Sequence, residues 1–327
     1  MRQTVAISTL AMGQVVLAGL YPGITLYNHT CALADPILSC SPGANPDKVD
    51  TCCVETFGGL VLQTQFWSTF TGRESEGQLL PRASWGIHGL WPDFCNGSYT
   101  QYCDLSRQYD PKPSPNTTNG KPDGTPVPAY TGESIANWFA PYGKEDLLAY
   151  MEKFWINQYD PNWMLWAHEY SKHATCFSTF QTECYGPKAP KYADLFEFFE
   201  TVIYYFRQVP TWSWLANAGI RPSNTTSYTL SDIQGVLTKE FGQLPFLGCS
   251  GPRFNETAAG KGSLDNGRTQ LSEVWYYHTV YGAPQRIDAK RLPATAAGNF
   301  LTTCAKADKA VWYYERAKGS QRGCSSK

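Results

Sequence analysis

Excess charge of either sign is what this sequence most plainly lacks. Its 27 lysines and arginines balance 28 aspartates and glutamates, a formal net charge of -1 over 327 residues. A broadly basic protein that coats nucleic-acid duplexes is thereby excluded, and any nucleic acid would be met locally, in a cleft. Long apolar runs are also scarce. Val5 to Leu20 is apolar but broken by Ser8, Thr9 and Gln14, and no later stretch approaches a membrane span. Neither an internal repeat nor a convincing linker is visible. With 42% hydrophobic and 14% aromatic residues a core is easily filled. One α+β domain with decorated loops is the expectation.

Met1-Arg2-Gln3, the short apolar run and the small residues Ala18-Gly19 look like a secretory signal peptide over residues 1–20, cut near Ala18 to Tyr21. Five Asn-x-Ser/Thr sequons, at Asn28, Asn96, Asn116, Asn224 and Asn255, would carry N-glycans on an exported chain. Eleven cysteines fit the same compartment, where they most simply pair. Secretion, to the outside or to a vacuole, is expected.

Cys31, Cys40, Cys52 and Cys53 crowd an N-terminal arm with little periodicity. Gly58 to Phe70 reads as a central strand, with Gln63 and Gln65 on one side and Leu62, Thr64 and Phe66 on the other. Ser84 to Asp93 is a short extended element that Pro92 should end. Residues 104–131, rich in Pro, Asn, Thr, Gly and Asp, read as an exposed loop. Helical pattern occupies 132–140, 144–157, 162–174 and 191–207. Ser231-Asp-Ile-Gln234 resembles a capping box opening a helix that runs to Phe241. A polar loop, 254–268, precedes a strand over Thr269 to Val280, and 311–327 reads as a partly disordered tail.

Histidine is rare, five in all, and two fall in Trp166-Ala-His-Glu-Tyr-Ser-Lys-His-Ala-Thr-Cys176. On a helix His168 and Lys172 share one face, and Glu169 and His173 the neighbouring one. Two imidazoles, a carboxylate and an ammonium suit the binding and turnover of an anion. Zinc is the rival reading. A zincin needs its histidines at i,i+4, and a spacing of five turns them about 140° apart on a helix, so no metal is expected. His88, between Gly86-Ile87 and Gly89, has an open backbone approach and would be the second proton carrier of general acid–base catalysis. Taken alone, it reads as an ordinary core-edge or surface histidine. His29 and His278 read as bystanders, His278 as a core histidine beside Trp275, Tyr276 and Tyr277.

His88-Gly-Leu-Trp-Pro-Asp93 and His168-Glu-x-x-Lys-His-x-x-Cys176, in that order and after a Gln-bearing strand, resemble the two active-site segments of the ribonuclease T2 family. The cysteine pattern resembles its fungal branch, so the likeness runs from about Cys31 to Cys304. Tyr170 stands where Trp is common and Ala174 where Gly is common. The resemblance implies one α+β catalytic domain over residues 21–310, disulfide-rich, with a central, mainly antiparallel sheet flanked by helices. It implies a monomeric endoribonuclease without metal or cofactor, cutting single-stranded RNA with little base preference. The ribose 2′-hydroxyl would attack phosphorus, giving a 2′,3′-cyclic phosphate and a 5′-hydroxyl, and later a 3′-phosphate.

By the same resemblance His173 would be the general base and His88 the general acid, or the reverse. Glu169 and Lys172 would stabilise the phosphorane and His168 would hold the phosphate. Trp91, Asp93 and Tyr99 match positions that stack on a base and meet it with a carboxylate, core packing being the other reading of Trp91. The implied disulfides are Cys31–Cys53, Cys40–Cys95, Cys52–Cys184, Cys103–Cys176 and Cys249–Cys304, leaving Cys324 over. Two histidines in opposite protonation states imply an acidic pH optimum. The alternative function is a secreted glycoprotein of this fold that acts mainly by binding a partner.

Overall fold

The computed structural model describes residues 31, 33–251, 268–295 and 301–323. The expected signal peptide, Asn28, His29, Asn255 and Cys324 lie outside the described residues. One long strand organises the rest. β4 (Thr269–Val280) pairs along its length with other strands, and its buried Leu271, Val274 and Tyr276 have no exposed surface. β1 (Leu60–Phe66) runs antiparallel to it, from Val61 opposite His278 to Phe66 opposite Glu273. β2 (Gly86–Asp93) pairs antiparallel with β1, which gives the order β2-β1-β4-β3 with β3 at Phe246–Ser250. β5 (Arg291–Ala294) adds an antiparallel pair to β4, and β6 (Val311–Trp312) a parallel one. The sheet is mixed but mainly antiparallel, as expected.

Among the described residues, two of the three apolar clusters pack helices against it. α3 (Ala193–Gln208) places Leu195, Phe198, Phe199, Val202 and Phe206 at helical spacing, so one stripe is buried. That stripe meets α1 (Glu145–Phe154), α2 (Asn162–Lys172) and the sheet residues Val61, Ile87 and Leu90. Truncating Phe199, which has no exposed surface, to Ala would cost about 3–5 kcal/mol. α4 (Thr211–Asn217) and α5 (Leu230–Phe241) cover Trp67, Val274, Tyr276 and Val311 in the second cluster. No helix among the described residues is long and apolar enough to cross a membrane. The five bridges are Cys31–Cys53, Cys40–Cys95, Cys52–Cys184, Cys103–Cys176 and Cys249–Cys304, the pairs implied by the family resemblance. Asn96, Asn116 and Asn224 are all exposed.

Several expectations need correction. Residues 132–140 form no α-helix but short 3-10 turns, Ile135–Trp138 and Ala140–Tyr142, interrupted by Pro141 and stopped by Gly143 at φ 65°. The capping box is not made, because α5 already begins at Leu230 and its N-cap Thr229 makes no side-chain cap bond. Pro92 does not end β2. It lies on an edge strand, where one side of the ladder needs no donor, and Asp93 still pairs with Leu60.

Residues 311–323 of the expected tail are packed against the rest of the fold. Tyr313 is fully buried and accepts a hydrogen bond from Trp85 Nε1 at 3.0 Å. Arg316 lies 4.0 Å over Trp67 and donates to the Ser84 carbonyl, while Ala317 N donates to Thr69 O at 2.8 Å. These partners, Trp85, Trp67, Ser84 and Thr69, stand more than 200 residues away, so no local pattern could announce them.

Candidate active site

β2 carries the first half of the site, and a bulge aims it. Thr64 pairs with Gly89 and Gln65 with Ile87, so His88 is an extra residue that no residue of β1 opposes. In a regular strand His88 would point away from Trp91 and Asp93. The extra residue brings it to their side, while Ile87 and Leu90 enter the core beneath α3. Trp155 Nε1 donates to the His88 carbonyl at 2.8 Å and holds the bulged backbone. Phe66 stacks on the imidazole with ring centres 3.6 Å apart.

α2 supplies the second half. Glu169 has no exposed surface, yet its Oε1 lies 3.5 Å from His88 Nε2 and its Oε2 accepts from Trp91 Nε1 at 2.7 Å. Helix and strand approach this closely because Gly89 has no side chain: a Cβ there would stand 1.8 Å from Glu169 Oε2. Trp91 also stacks on His173 at 4.9 Å and meets His88 edge-on at 4.7 Å. The ring therefore touches three of the residues that sequence reasoning grouped as catalytic.

His173 caps the helix rather than continuing it, with φ -112°. Burial pushes its pKa well below the usual imidazole value, and the charges of Lys172, His168 and His88 add to the effect. The Lys172 ammonium donates to the Ser114 carbonyl at 2.8 Å. Burial lowers its pKa as well, against the pull of the Glu169 and Asp110 carboxylates. The Cys103–Cys176 bridge and the 2.9 Å bond from Tyr102 N to Lys172 O tie the end of α2 to the loop that supplies Ser114.

A spacing of five does not hold the two imidazoles apart here, because α2 ends at Lys172 and His173 only caps it. One potential ligand atom from each of His168, Glu169 and His173 lies within 4.8 Å of the others, so the three could hold a cation. Two of them already have partners, Asp110 for His168 and Trp91 for Glu169.

Residues 104–131 are more than an exposed loop. Arg107 is buried and bonded to Asp104 at 2.7 Å and Asp194 at 3.1 Å, and Asp110 is 2% exposed. Asp110 Oδ2 lies 2.7 Å from His168 Nδ1 and also accepts from the Tyr102 hydroxyl at 2.8 Å. That carboxylate fixes the His168 ring and leaves Nε2 for a ligand. Sequence reasoning missed it, since Tyr109-Asp110 resembles any turn and only the fold brings it to α2. Asp93, at the end of β2, has its carboxyl pushed up to about 7 by burial. Tyr99 is 63% exposed on the loop beyond the Cys40–Cys95 bridge.

Fold and site together define a disulfide-tied protein in which two histidines from different elements flank a buried glutamate, the equipment of acid–base chemistry on an anion. The ribonuclease T2 family model matches residues 58–292, and the chain belongs to that family. Family and fold support an endoribonuclease. The chain is 40% identical over 245 residues to ribonuclease Le2 of Lentinula edodes, covering 74% of this chain and 81% of that protein. It is 35% identical over 250 residues to a ribonuclease T2-like protein of Aspergillus fumigatus, covering 76% of this chain and 49% of that longer one. Among solved structures it resembles that of Actibind, a T2 ribonuclease, with TM-score 0.64 and 28% identity over 87% of this chain and 97% of that one.

Proposed function

We propose that this protein is an exported endoribonuclease that cuts single-stranded RNA with little base specificity, as a monomer and without a metal. The observation that carries the reading is the placement of His88 and His173, each in ring contact with Trp91, about the buried Glu169. His173, kept neutral by burial, takes the proton from the ribose 2′-hydroxyl as that oxygen attacks phosphorus. His88 gives a proton to the departing 5′-oxygen as the P–O5′ bond breaks. The products are a 2′,3′-cyclic phosphate and a 5′-hydroxyl, and water then opens the ring to a 3′-phosphate. Lys172 supplies charge to the phosphorane, Glu169 acts beside it, and His168, oriented by Asp110, holds the phosphate. DNA, without a 2′-hydroxyl, is not cut.

Trp91, Asp93 and Tyr99 are proposed to hold a base near the first of these groups. Asn96, Asn116 and Asn224 are exposed acceptors for N-glycans, in keeping with an extracellular or vacuolar enzyme. The test is incubation with homopolymer RNAs in EDTA, followed by analysis of the ends. Cyclic-phosphate ends on all four polymers are expected. Cleavage that the chelator abolishes, or none at all, overturns the proposal.

A further inference from the structure

The site-facing side of β4 runs parallel to that of β2, with β1 between them. Alternate residues of β4 meet the site-facing residues of β2: Glu273 faces His88, Trp275 faces Trp91 at 5.1 Å, and the Tyr277 hydroxyl has its pKa raised by burial first and then by the charge of Asp93. The first of these contacts joins a carboxylate to a residue of the reaction. Glu273 Oε1 lies 3.3 Å from His88 Nδ1.

His88 Nδ1 is buried, and among the described residues no hydrogen bond satisfies it. An orphaned buried ring nitrogen is costly, so a nearby acceptor is its natural partner. The surroundings of the ring leave one choice. Phe66 covers a face, Trp91 meets an edge, and Glu169 stands at Nε2. His173 is the other titratable group whose charge couples to His88. Among the described residues, Glu273 is the group that stands at Nδ1.

Its place is prepared from both sides. Phe66, which stacks on the imidazole, is also the ladder partner of Glu273. On the other edge Gly248 opposes it, and a Cβ there would come 2.9 Å from the Cβ of Glu273 and 3.1 Å from its Oε2.

We infer that Glu273 is the positioning residue for His88: it accepts the Nδ1 proton and so turns Nε2 toward Glu169 and the substrate. Contacts of this kind are often long before substrate binds and tighten in the complex. The inference deepens the ribonuclease reading, and rests on it for the role of His88.

The test compares the wild type with Glu273→Ala and Glu273→Gln, by steady-state cleavage of a dinucleoside phosphate and by the nitrogen-15 spectrum of His88 without substrate. Neutral His88 in the wild type should carry its proton on Nδ1. Glu273→Ala should lose that tautomer and lower kcat about tenfold or more, with KM within about twofold. Glu273→Gln, which keeps the size and a carbonyl acceptor, should recover most of both and shows that any loss is not misfolding. An unchanged spectrum and kcat in Glu273→Ala overturn the role of Glu273 alone. A wild type with the Nδ1 tautomer that cleaves no RNA overturns the ribonuclease reading and leaves the contact standing.

Discussion

The backbone of Gly89 and the carboxylate of Glu169 occupy adjoining space with no room for one carbon between them, since a Cβ on Gly89 would stand 1.8 Å from Oε2. Gly89→Ala must therefore displace Glu169 from both Trp91 and His88. Loss of one aimed polar group costs on the order of 100-fold in kcat, and that or more is expected here. Assay on RNA beside a thermal melt checks it, because a native melt with native kcat would mean the helix can retreat without consequence.

Trp91→Phe keeps a ring against His173 but removes the 2.7 Å donor to Glu169. A buried carboxylate oxygen loses its partner, worth about 1–3 kcal/mol, so kcat should fall about tenfold or more. If Trp91 serves chiefly as a platform for a base, KM will rise instead and kcat will hold.

Asp110→Asn replaces the carboxylate on His168 Nδ1 by an amide. The imidazole proposed to hold phosphate then loses its charged partner. KM should rise on the order of tenfold, and inhibition by inorganic phosphate should weaken by a like factor, with kcat changing less. Steady-state kinetics with and without phosphate decides it.

The sequence announces His88, Glu169, Lys172 and His173 because two contiguous motifs hold them, and Thr269–Val280 because Val274-Trp-Tyr-Tyr277 is rich in β-branched and aromatic residues. It is silent about Asp110 and Glu273, which sit in unremarkable neighbours and acquire their place only when β4 and the 104–131 segment meet the site. It misleads about His168 and His173, since α2 ends one residue before His173. Short elements such as β6 and α4 owe their form to the core they complete, and carry little local signal.

The pH dependence follows from burial. His173 has a pKa well below 6.5, so its neutral, basic form persists into acid, and the acid limb of kcat should have its midpoint below 6.5. A midpoint at or above that value would point to the reversed assignment of acid and base. His278, buried against Tyr205 and Phe241, has its pKa lowered to about 4 by burial first. Below 6.5 the unfolded chain then binds a proton that the folded chain refuses, so stability falls as pH drops. From this residue the loss is roughly 3 kcal/mol by pH 4. Urea midpoints at pH 7 and pH 4.5 should differ less in His278→Phe than in the wild type.

Replacing Cys103 and Cys176 together by Ala opens a closure of 73 residues. The chain-entropy cost is about 4 kcal/mol, visible as a lower urea midpoint. Activity should fall further than stability requires, because the bridge also joins the end of α2 to the loop bearing Ser114.

The bulge at His88 has a consequence for how the chain tolerates change. Gly89 and Ile87 already find their partners in Thr64 and Gln65, so the ladder is complete without the residue between them. His88 is supernumerary to the architecture. Selection could therefore alter or silence that position while the scaffold, its bridges and its surface stay intact.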